Sequence, residues 1–360
     1  MQTGNTTQLL WSKTMLGKTC IIIGAGHSGA QLSISLRQER WEGRIIVVGD
    51  EEALPYHRPP LSKAYLAGTK ELSNILLRPA SFYDTQNVEF NLGVGLAAIN
   101  RADKTVTLNN GDILTYDKLA LTLGSRVRKL TIPGSDLAGI SYLKTAKDVD
   151  YIKTLAKPDK KAVIIGGGYI GLETAAVLRK LGMDVTVLEM MPRVLERVTA
   201  PQLSEFYTRV HTEEGVNVVT GVIVSSIEAK DKLNSVVCTN GNRYPAELII
   251  VGVGVLPNQE IAEKAGLAVG NGIEVNEFAC TSDPDIVASG DCAWHYNPIY
   301  KKYLRLESVQ NATDQAKTAA AYICDKSVAY NTLPWFWSDQ YDMKLQIAGL
   351  SQGYDSLVIR

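Results

Sequence analysis

Short apolar runs alternate with helix-like stretches along this chain, and one such alternation occurs twice. Each copy begins with four consecutive apolar residues, a pattern typical of a parallel strand that is buried on both faces. A helix-like stretch and a second apolar strand follow. The first copy comprises 20–23, 30–40 and 44–48, and the second comprises 162–165, 172–181 and 184–188. The pattern therefore predicts two βαβ units, each contributing to a parallel sheet.

The remaining segments place these units in a larger α/β fold. The stretch 88–121 alternates like an antiparallel sheet with a turn at 109–112, a strand is predicted over 248–251, and an alanine-rich helix is predicted over 310–324. The second unit looks inserted between two parts of the first, so we predict two Rossmann-like domains. The predicted divisions are a flexible lead-in at 1–16, a discontinuous first domain at 17–125 and 254–328, an inserted second domain at 126–253, and an incomplete α+β C-terminal domain at 329–360.

A glycine loop of spacing G-x-G-x-x-G joins strand to helix in each unit. The glycines are Gly24, Gly26 and Gly29 in the first loop, and Gly166, Gly168 and Gly171 in the second. In such loops the first glycine makes a tight turn, the second lets the backbone approach a pyrophosphate, and the third lets the helix pack on the strand. The helix N-terminus then favours the phosphates.

An acidic residue follows each loop at about 20 positions, where a ribose hydroxyl is bound in dinucleotide-binding units. The candidates are Asp50 or Glu51 in the first unit and Glu189 in the second. The alternative for either loop alone is a glycine-rich turn without a ligand. Two such units in one chain predict two dinucleotides and electron transfer between them.

Composition narrows the classes of function. The chain has 360 residues, 45% of them hydrophobic, which is enough for two or three domains. Its net charge of −1 gives no electrostatic argument for nucleic acid or an acidic membrane. No apolar run reaches the length of a membrane helix, and Met1–Lys13 lacks the pattern of a secretory signal. The five cysteines form no CxxC pair and the four histidines are scattered, so we expect reduced thiols in a cytoplasmic protein and no metal site.

Several longer motifs resemble a known family. They are RPPLSK at 58–63, GGGYIGLE at 166–173, RVLER at 193–197, TSDP at 281–284, GDCA at 290–293 and WFWSDQ at 335–340. With these motifs the chain resembles the FAD-containing, NADH-dependent reductases that serve the ferredoxins and rubredoxins of bacterial oxygenases and cytochromes P450. The resemblance covers 17–360 and implies that the first domain binds FAD and the inserted domain binds NADH.

The resemblance also implies roles for individual residues. The FAD contacts it implies are Gly24, Gly26, Ser28, Gly29, Asp50, Arg58, Lys63, Leu96, Lys144, Asp291, Val309 and Trp335. The NADH contacts it implies are Gly166, Gly168, Tyr169, Ile170, Gly171, Glu189 and Arg197. Catalytic roles are implied for Lys63, Glu173 and Trp337.

Each of these roles has a plainer alternative. The resemblance places Lys63 where related disulfide reductases carry a CxxxxC pair, and it implies a cation beside the flavin in place of a dithiol. The alternative is that the prolines stiffen this loop and Ser62 caps a helix. Glu173 is implied to lie near the nicotinamide carboxamide, or it is an acid that favours a helix N-terminal region. We expect Trp335 and Trp337 on opposite sides of a strand, the first beside the isoalloxazine and the second where an iron–sulfur partner docks; a core position is the alternative.

The implied reaction is hydride transfer from NADH to the flavin, followed by single-electron transfer to a [2Fe–2S] ferredoxin or a rubredoxin. An NADH oxidase or a monodehydroascorbate reductase is an alternative on the same scaffold. A signalling flavoprotein similar to apoptosis-inducing factor, which binds nucleic acid, is disfavoured by the balanced charge.

Leu123 and Val127 depart from the A-T-G-x-R-P-R pattern of relatives. The strand-like end at 356–360 suggests a third domain cut short.

Overall fold

The structure is a computed structural model that describes residues 17–230 and 233–360. The predicted flexible lead-in at 1–16 lies outside the described residues. Among the helices that are described, none is long and apolar enough to span a membrane.

The described residues contain seven α-helices and two short 3₁₀ helices. The α-helices are α1 (His27–Gln38), α2 (Ala80–Thr85), α3 (Ala146–Leu155), α4 (Tyr169–Lys180), α5 (Pro201–Glu213), α6 (Glu260–Lys264) and α7 (Val309–Ile323). The 3₁₀ helices are Pro59–Ser62 and Leu72–Ile75.

The same residues contain 24 strands. They are β1 (Thr19–Ile23), β2 (Arg44–Gly49), β3 (Val88–Leu92), β4 (Leu96–Asn100), β5 (Thr105–Leu108), β6 (Ile113–Thr115), β7 (Lys118–Leu121), β8 (Ser125–Val127), β9 (Ile140–Tyr142), β10 (Lys161–Ile165), β11 (Asp184–Leu188), β12 (Asn217–Val219), β13 (Val224–Lys230), β14 (Leu233–Cys238), β15 (Arg243–Ala246), β16 (Leu248–Val251), β17 (Val255–Pro257), β18 (Val269–Gly270), β19 (Gly272–Val275), β20 (Ile286–Ala288), β21 (Ala293–Asn297), β22 (Lys302–Leu304), β23 (Trp335–Gln340) and β24 (Met343–Ala348).

The first compact unit is built on a parallel sheet with the order β20-β7-β1-β2-β3. Of the described residues, it contains 17–56, 76–125 and 257–336. Side chains of β1 alternate between two cores: Cys20 and Ile22 pack with residues of α1 and α7, whereas Ile21 and Ile23 pack with the opposite layer. Both faces of the sheet are therefore covered, as in doubly wound folds.

The second compact unit repeats this architecture. It contains 57–75, 126–256 and 337–360, and its parallel sheet has the order β12-β11-β10-β16-β9. The antiparallel sheet β13-β14-β15 packs on one face, where Val163 and Ile249 belong to the same hydrophobic cluster as Ile227 and Val236. Helix α4 contacts β10 and β11. Two parallel sheets with βαβ connections confirm the predicted α/β fold class.

Three expectations about local structure are wrong. The structure assigns no strand to 356–360, where the residues are exposed. Only 96–115 of the stretch 88–121 is antiparallel, as the sheet β4-β5-β6; β3 and β7 belong to the parallel sheet. Strand β3 resembled an antiparallel strand because it lies at the sheet edge and is only partly buried. Trp335 and Trp337 do not face opposite sides, because side chains two apart in a strand such as β23 point to the same face. The predicted domain divisions stay a prediction.

Candidate functional site

The three glycines of the first loop meet three different requirements. Gly24 has a φ of +112°, and a Cβ there would lie 2.1 Å from the carbonyl oxygen of Thr122. A Cβ on Gly29 would lie 1.9 Å from the carbonyl oxygen of Gly24, so this glycine lets α1 lie against the strand. A Cβ on Gly26 would meet nothing within 4 Å. Gly26 therefore borders open space that a phosphate group can approach.

The second loop has the same geometry in the second unit. Gly166 has a φ of +114°, and its Cβ would lie 2.4 Å from the carbonyl oxygen of Gly252. A Cβ on Gly171 would lie 2.1 Å from the carbonyl oxygen of Gly166, whereas one on Gly168 would meet nothing within 4 Å. Each unit thus carries one complete dinucleotide cradle.

The two helices that follow these loops begin without a side-chain cap. Gly26 and Gly168 are the N-cap residues of α1 and α4, and a glycine has no side chain with which to cap the helix. In contrast, Thr145 forms a capping box on α3, and the Ser308 hydroxyl accepts the N–H of Asn311 on α7. A glycine N-cap beside an open cradle leaves room for a diphosphate at the start of each helix.

Polar contacts surround the first loop. The hydroxyls of Ser28 and Ser289 lie 2.6 Å apart, and the N–H of Gly290 donates to Gln315 Oε1 at 2.9 Å. Asp291 follows, and its Oδ2 accepts from the Ser125 hydroxyl at 2.8 Å. The structure therefore brings the predicted FAD residues Ser28 and Asp291 into one cluster with the first glycine loop.

Other predicted FAD residues lie in less enclosed positions. Asp50 is exposed directly after β2, Leu96 is half-buried at the start of β4, and Val309 begins α7. Trp335 is 37% exposed, and its backbone N–H donates to Gln310 Oε1 at 3.2 Å. In the second unit, Arg58 Nη1 donates to the carbonyl oxygen of Lys144 at 3.1 Å, which joins two further predicted residues.

The carboxylate of Glu189 is held by the backbone beside the second loop. Its Oε2 accepts the N–H of Gly167 at 2.6 Å, and its Oε1 accepts the N–H of Met191 at 2.8 Å. Each oxygen of a carboxylate retains a further acceptor position, so ribose hydroxyls can still donate to it. Arg197 and Ile170 are exposed, whereas Tyr169 is half-buried; burial first, then Tyr207 and Glu173, raises the pKa of Tyr169 and keeps it a neutral phenol.

Glu173 and Lys63 form a buried ion pair in the second unit. The Lys63 ammonium lies 2.6 Å from Glu173 Oε2, and the side chains are only 19% and 4% exposed. The Ser62 hydroxyl donates to the same oxygen at 2.5 Å. Helix α4 presents Glu173 just beyond the second loop, and the proline-rich 3₁₀ helix presents Ser62 and Lys63. Removing one partner of a buried ion pair leaves an unpaired buried charge and destabilises the fold, so Lys63 and Glu173 hold each other in place.

One residue of this cluster was not identified from the sequence. The Ser338 hydroxyl, in β23, donates to Glu173 Oε1 at 2.7 Å. A partial signal exists in the sequence, because Ser338 and Gln340 are polar residues two apart in a strand rich in aromatic residues. Trp337, the predicted docking residue, is half-buried beside them.

The cysteines and histidines form no second reactive centre in the part of the chain that the structure describes. All five cysteines are free and buried. Burial raises the pKa of each thiol, that of Cys292 to about 11, which disfavours the reactive thiolate. Residues 17–230 and 233–360 contain no group of three or more His, Cys, Asp or Glu side chains suited to a metal ion.

Two dinucleotide cradles, one in each α/β unit, define the class of protein as an oxidoreductase that uses a flavin and a nicotinamide dinucleotide. Residues 18–316 match the family described as pyridine nucleotide-disulphide oxidoreductase, and residues 335–360 match a reductase C-terminal family. The chain therefore belongs to the pyridine nucleotide-disulphide oxidoreductase family, which binds FAD and NAD(H).

Individual relatives are similar over most of the chain. Putidaredoxin reductase CamA of Pseudomonas putida is 44% identical over 94% of this chain and 82% of its own length. The putidaredoxin reductase in a covalent complex with putidaredoxin has a TM-score of 0.90 at 44% identity, over 94% of this chain and 83% of that one. The ferredoxin reductase for the CYP199A2 system of Rhodopseudomonas palustris has a TM-score of 0.93 at 42% identity, over 96% and 85%.

Proposed function

We propose that this chain is an NADH-dependent ferredoxin reductase that serves an oxygenase or a cytochrome P450. It takes a hydride from NADH onto FAD and delivers single electrons to an iron–sulfur ferredoxin or a rubredoxin. The observation that carries this proposal is the pair of matching glycine cradles, since each has a turn glycine, an open glycine and a packing glycine. Of the reductases to which the chain is similar, one forms a complex with putidaredoxin and another is the ferredoxin reductase for the CYP199A2 system.

The flavin supplies the conversion from two electrons to one, because a nicotinamide gives two at once and a [2Fe–2S] cluster accepts one. The chain's own residues supply binding and charge. The first loop and Asp291 hold the diphosphate and ribityl regions of FAD, and the second loop holds the diphosphate of NADH. Glu189, fixed by two backbone N–H groups, accepts the ribose hydroxyls of NADH.

The Lys63–Glu173 pair provides the charged groups of the hydride-transfer site in this proposal. Lys63 presents a positive charge whose position is fixed by its 2.6 Å contact with Glu173. Glu173 Oε1 accepts one hydrogen bond from Ser338 and keeps one acceptor position for an amide of the nicotinamide, whereas Oε2 already accepts from Ser62 and Lys63. The absence of a cysteine pair from this segment means that the electrons need no dithiol on their way out.

Anaerobic stopped-flow spectroscopy tests this function in two mixing steps. The flavin-loaded protein is first mixed with NADH, and bleaching of the flavin reports hydride transfer. The reduced protein is then mixed with a [2Fe–2S] ferredoxin, a rubredoxin, monodehydroascorbate or oxygen. We expect the iron–sulfur or rubredoxin acceptor to reoxidise the flavin fastest. A faster reaction with oxygen or with monodehydroascorbate would replace this function with one of the alternative activities.

We further propose a cytoplasmic location. Five free and buried cysteines support it, because a reducing compartment keeps such thiols unpaired. Fractionation of the source cells, followed by immunodetection, checks this location.

A further inference from the structure

A continuous chain of hydrogen bonds leads from helix α5 to the carboxylate of Glu173. His211 Nε2 lies 2.8 Å from Gln340 Oε1, and Gln340 Nε2 donates to the Ser338 hydroxyl at 3.1 Å. Ser338 in turn donates to Glu173 Oε1 at 2.7 Å. His211, Ser338, Gln340 and Glu173 are all at most 4% exposed, so water does not replace these bonds.

The donor and acceptor of every hydrogen bond in this series follow from the carboxylate of Glu173 at its end. A carboxylate oxygen only accepts, so Ser338 must donate to it and must therefore accept from the amide nitrogen of Gln340. The amide oxygen of Gln340 then faces His211, which must donate from Nε2. His211 Nδ1 is left to accept from the Tyr341 hydroxyl, 3.2 Å away. Burial lowers the pKa of His211, which favours the neutral ring that this arrangement needs.

We infer that Ser338 is a positioning residue for hydride transfer, with Gln340 and His211 fixing its hydroxyl in turn. This inference rests on the proposed function, because it assigns the residue that orients the Lys63–Glu173 pair of that reaction. Glu173 Oε2 accepts from Ser62 and Lys63, and among the described residues only Ser338 donates to Oε1. Ser338 therefore fixes the rotation of the carboxylate about its Oε2 contacts. The strand β23 thereby supplies a support to a pair that comes from two earlier parts of the chain.

Loss of the Ser338 hydroxyl is expected to act on rate more than on binding. Without it, Glu173 Oε1 loses its donor and the carboxylate can turn, which moves the Lys63 ammonium that it holds. The nucleotide cradle at Gly166–Gly171 and the Glu189 carboxylate keep their contacts. A misplacement of about 1 Å near a reacting centre can cost on the order of a hundredfold in rate, whereas affinity depends on the unchanged cradle.

The experiment compares four variants of the flavin-loaded protein in anaerobic stopped-flow mixing with NADH. Ser338→Ala removes the hydroxyl, Ser338→Cys leaves a weak donor, and Ser338→Thr retains a hydroxyl. Ser141→Ala is the matched control, because Ser141 is a buried serine in the same unit and its hydroxyl has no hydrogen-bond partner among the described residues.

We expect Ser338→Ala to lower the limiting rate of flavin reduction at least about fivefold, with the NADH dissociation constant changed less than about twofold. Ser338→Thr should restore the rate, Ser338→Cys should fall between, and Ser141→Ala should match the parent. Equal rates in Ser338→Ala and Ser141→Ala, or a change confined to NADH affinity, would overturn the inference. If Ser338→Ala does not fold, a Ser338→Cys protein as fast as Ser338→Thr overturns it equally.

A second measurement is independent of catalysis. Two-bond ¹H–¹⁵N correlation spectra report which ring nitrogen of each histidine carries a proton, and His211→Gln identifies the His211 signals. The inference requires a neutral His211 protonated on Nε2; protonation on Nδ1 alone refutes the chain of donors. A parent protein whose flavin is not reduced by NADH would instead refute the proposed function, and the histidine spectrum would still decide the network.

Discussion

Replacing the open and the packing glycine of the first loop by alanine should produce two different defects. Gly26→Ala adds a methyl group that meets nothing within 4 Å, at a residue with φ of −92° and ψ of −161°. That backbone conformation is available to alanine, so the folded protein should tolerate the change. Gly29→Ala adds a methyl group 1.9 Å from the carbonyl oxygen of Gly24, where ordinary contact begins at 3.4 Å.

The magnitudes follow from these distances. The clash at Gly29 involves a backbone oxygen that no side-chain rotation can move, so we expect it to cost about 3 kcal/mol of folding free energy, the upper end for overpacking. At Gly26, alanine is a poorer N-cap residue than glycine, which lowers the folding stability, but it also makes the unfolded chain stiffer, which raises it. Each effect is about 0.5–1 kcal/mol, so the two nearly cancel. The Gly26 methyl instead keeps the diphosphate from the N–H groups of α1. One lost charge-assisted hydrogen bond of about 1.5–3 kcal/mol weakens FAD binding roughly tenfold to a hundredfold.

The assay separates folding from binding by using the apoprotein. Urea denaturation of the flavin-free forms gives the folding free energies without the contribution of bound ligand. Titration of each apoprotein with FAD then gives the dissociation constants. Gly26→Ala should unfold like the parent and bind FAD weakly, whereas Gly29→Ala should unfold much earlier. Equal loss of stability in both variants, or unchanged FAD affinity in Gly26→Ala, would refute the roles assigned to these glycines.

Four further predictions concern other parts of the molecule. Glu189 would repel a 2′-phosphate, so kcat/KM for NADH should exceed that for NADPH by about tenfold or more. Glu189→Arg should narrow or reverse this preference for NADH, and equal kcat/KM values for the two nucleotides in the parent would contradict the prediction. Replacing all five cysteines by alanine or serine should leave NADH-dependent flavin reduction largely intact in protein that folds, because the thiols are buried and held protonated. Trp337→Ala should slow reduction of a ferredoxin while sparing ferricyanide, a small acceptor that needs no docking; equal slowing of both would place Trp337 in the flavin pocket or core. Burial lowers the pKa of His295 from 6.5 to about 4, so the stability that its neutral ring contributes is present above pH 6.5 and is lost as the pH falls toward 4. Urea denaturation should show the free energy of unfolding falling by up to about 1.4 kcal/mol per pH unit in that range, and His295→Asn should reduce this dependence on pH.

The parts of the site that lie on one βαβ unit could be predicted from the sequence. The glycine spacing of each loop, the strand before it and the helix after it are local features. The structure has the expected tight turn at Gly166, open position at Gly168 and close packing at Gly171. Spacing also predicted the position of Glu189 beside the second loop, where its carboxylate accepts the N–H of Gly167, because the second strand of such a unit has a nearly fixed length. The precise FAD and NADH contacts stay predictions.

The support of Glu173 could not be predicted in this way. Ser338 lies 165 positions further along the chain, and nothing in its neighbourhood names its partner. Capping by Ser62 was a reasonable local alternative, yet the hydroxyl of Ser62 donates to Glu173, 111 positions away. Long-range hydrogen bonds between buried polar residues leave no periodic pattern, so only the polar positions themselves signal that partners exist.

Strand β23 explains why hydride transfer and partner reduction should respond to different substitutions. Side chains alternate along a strand, so Ser338 and Gln340 share one face and Trp337 lies on the other. The first face is buried and carries the hydrogen bonds that end at Glu173. A change at Ser338 should therefore alter the reaction with NADH before any acceptor is present. A change at Trp337 leaves those bonds in place and should act on the outgoing electrons alone. If both substitutions slowed the same step, the two faces of the strand would not serve separate half-reactions, and the docking role of Trp337 would have to be given up.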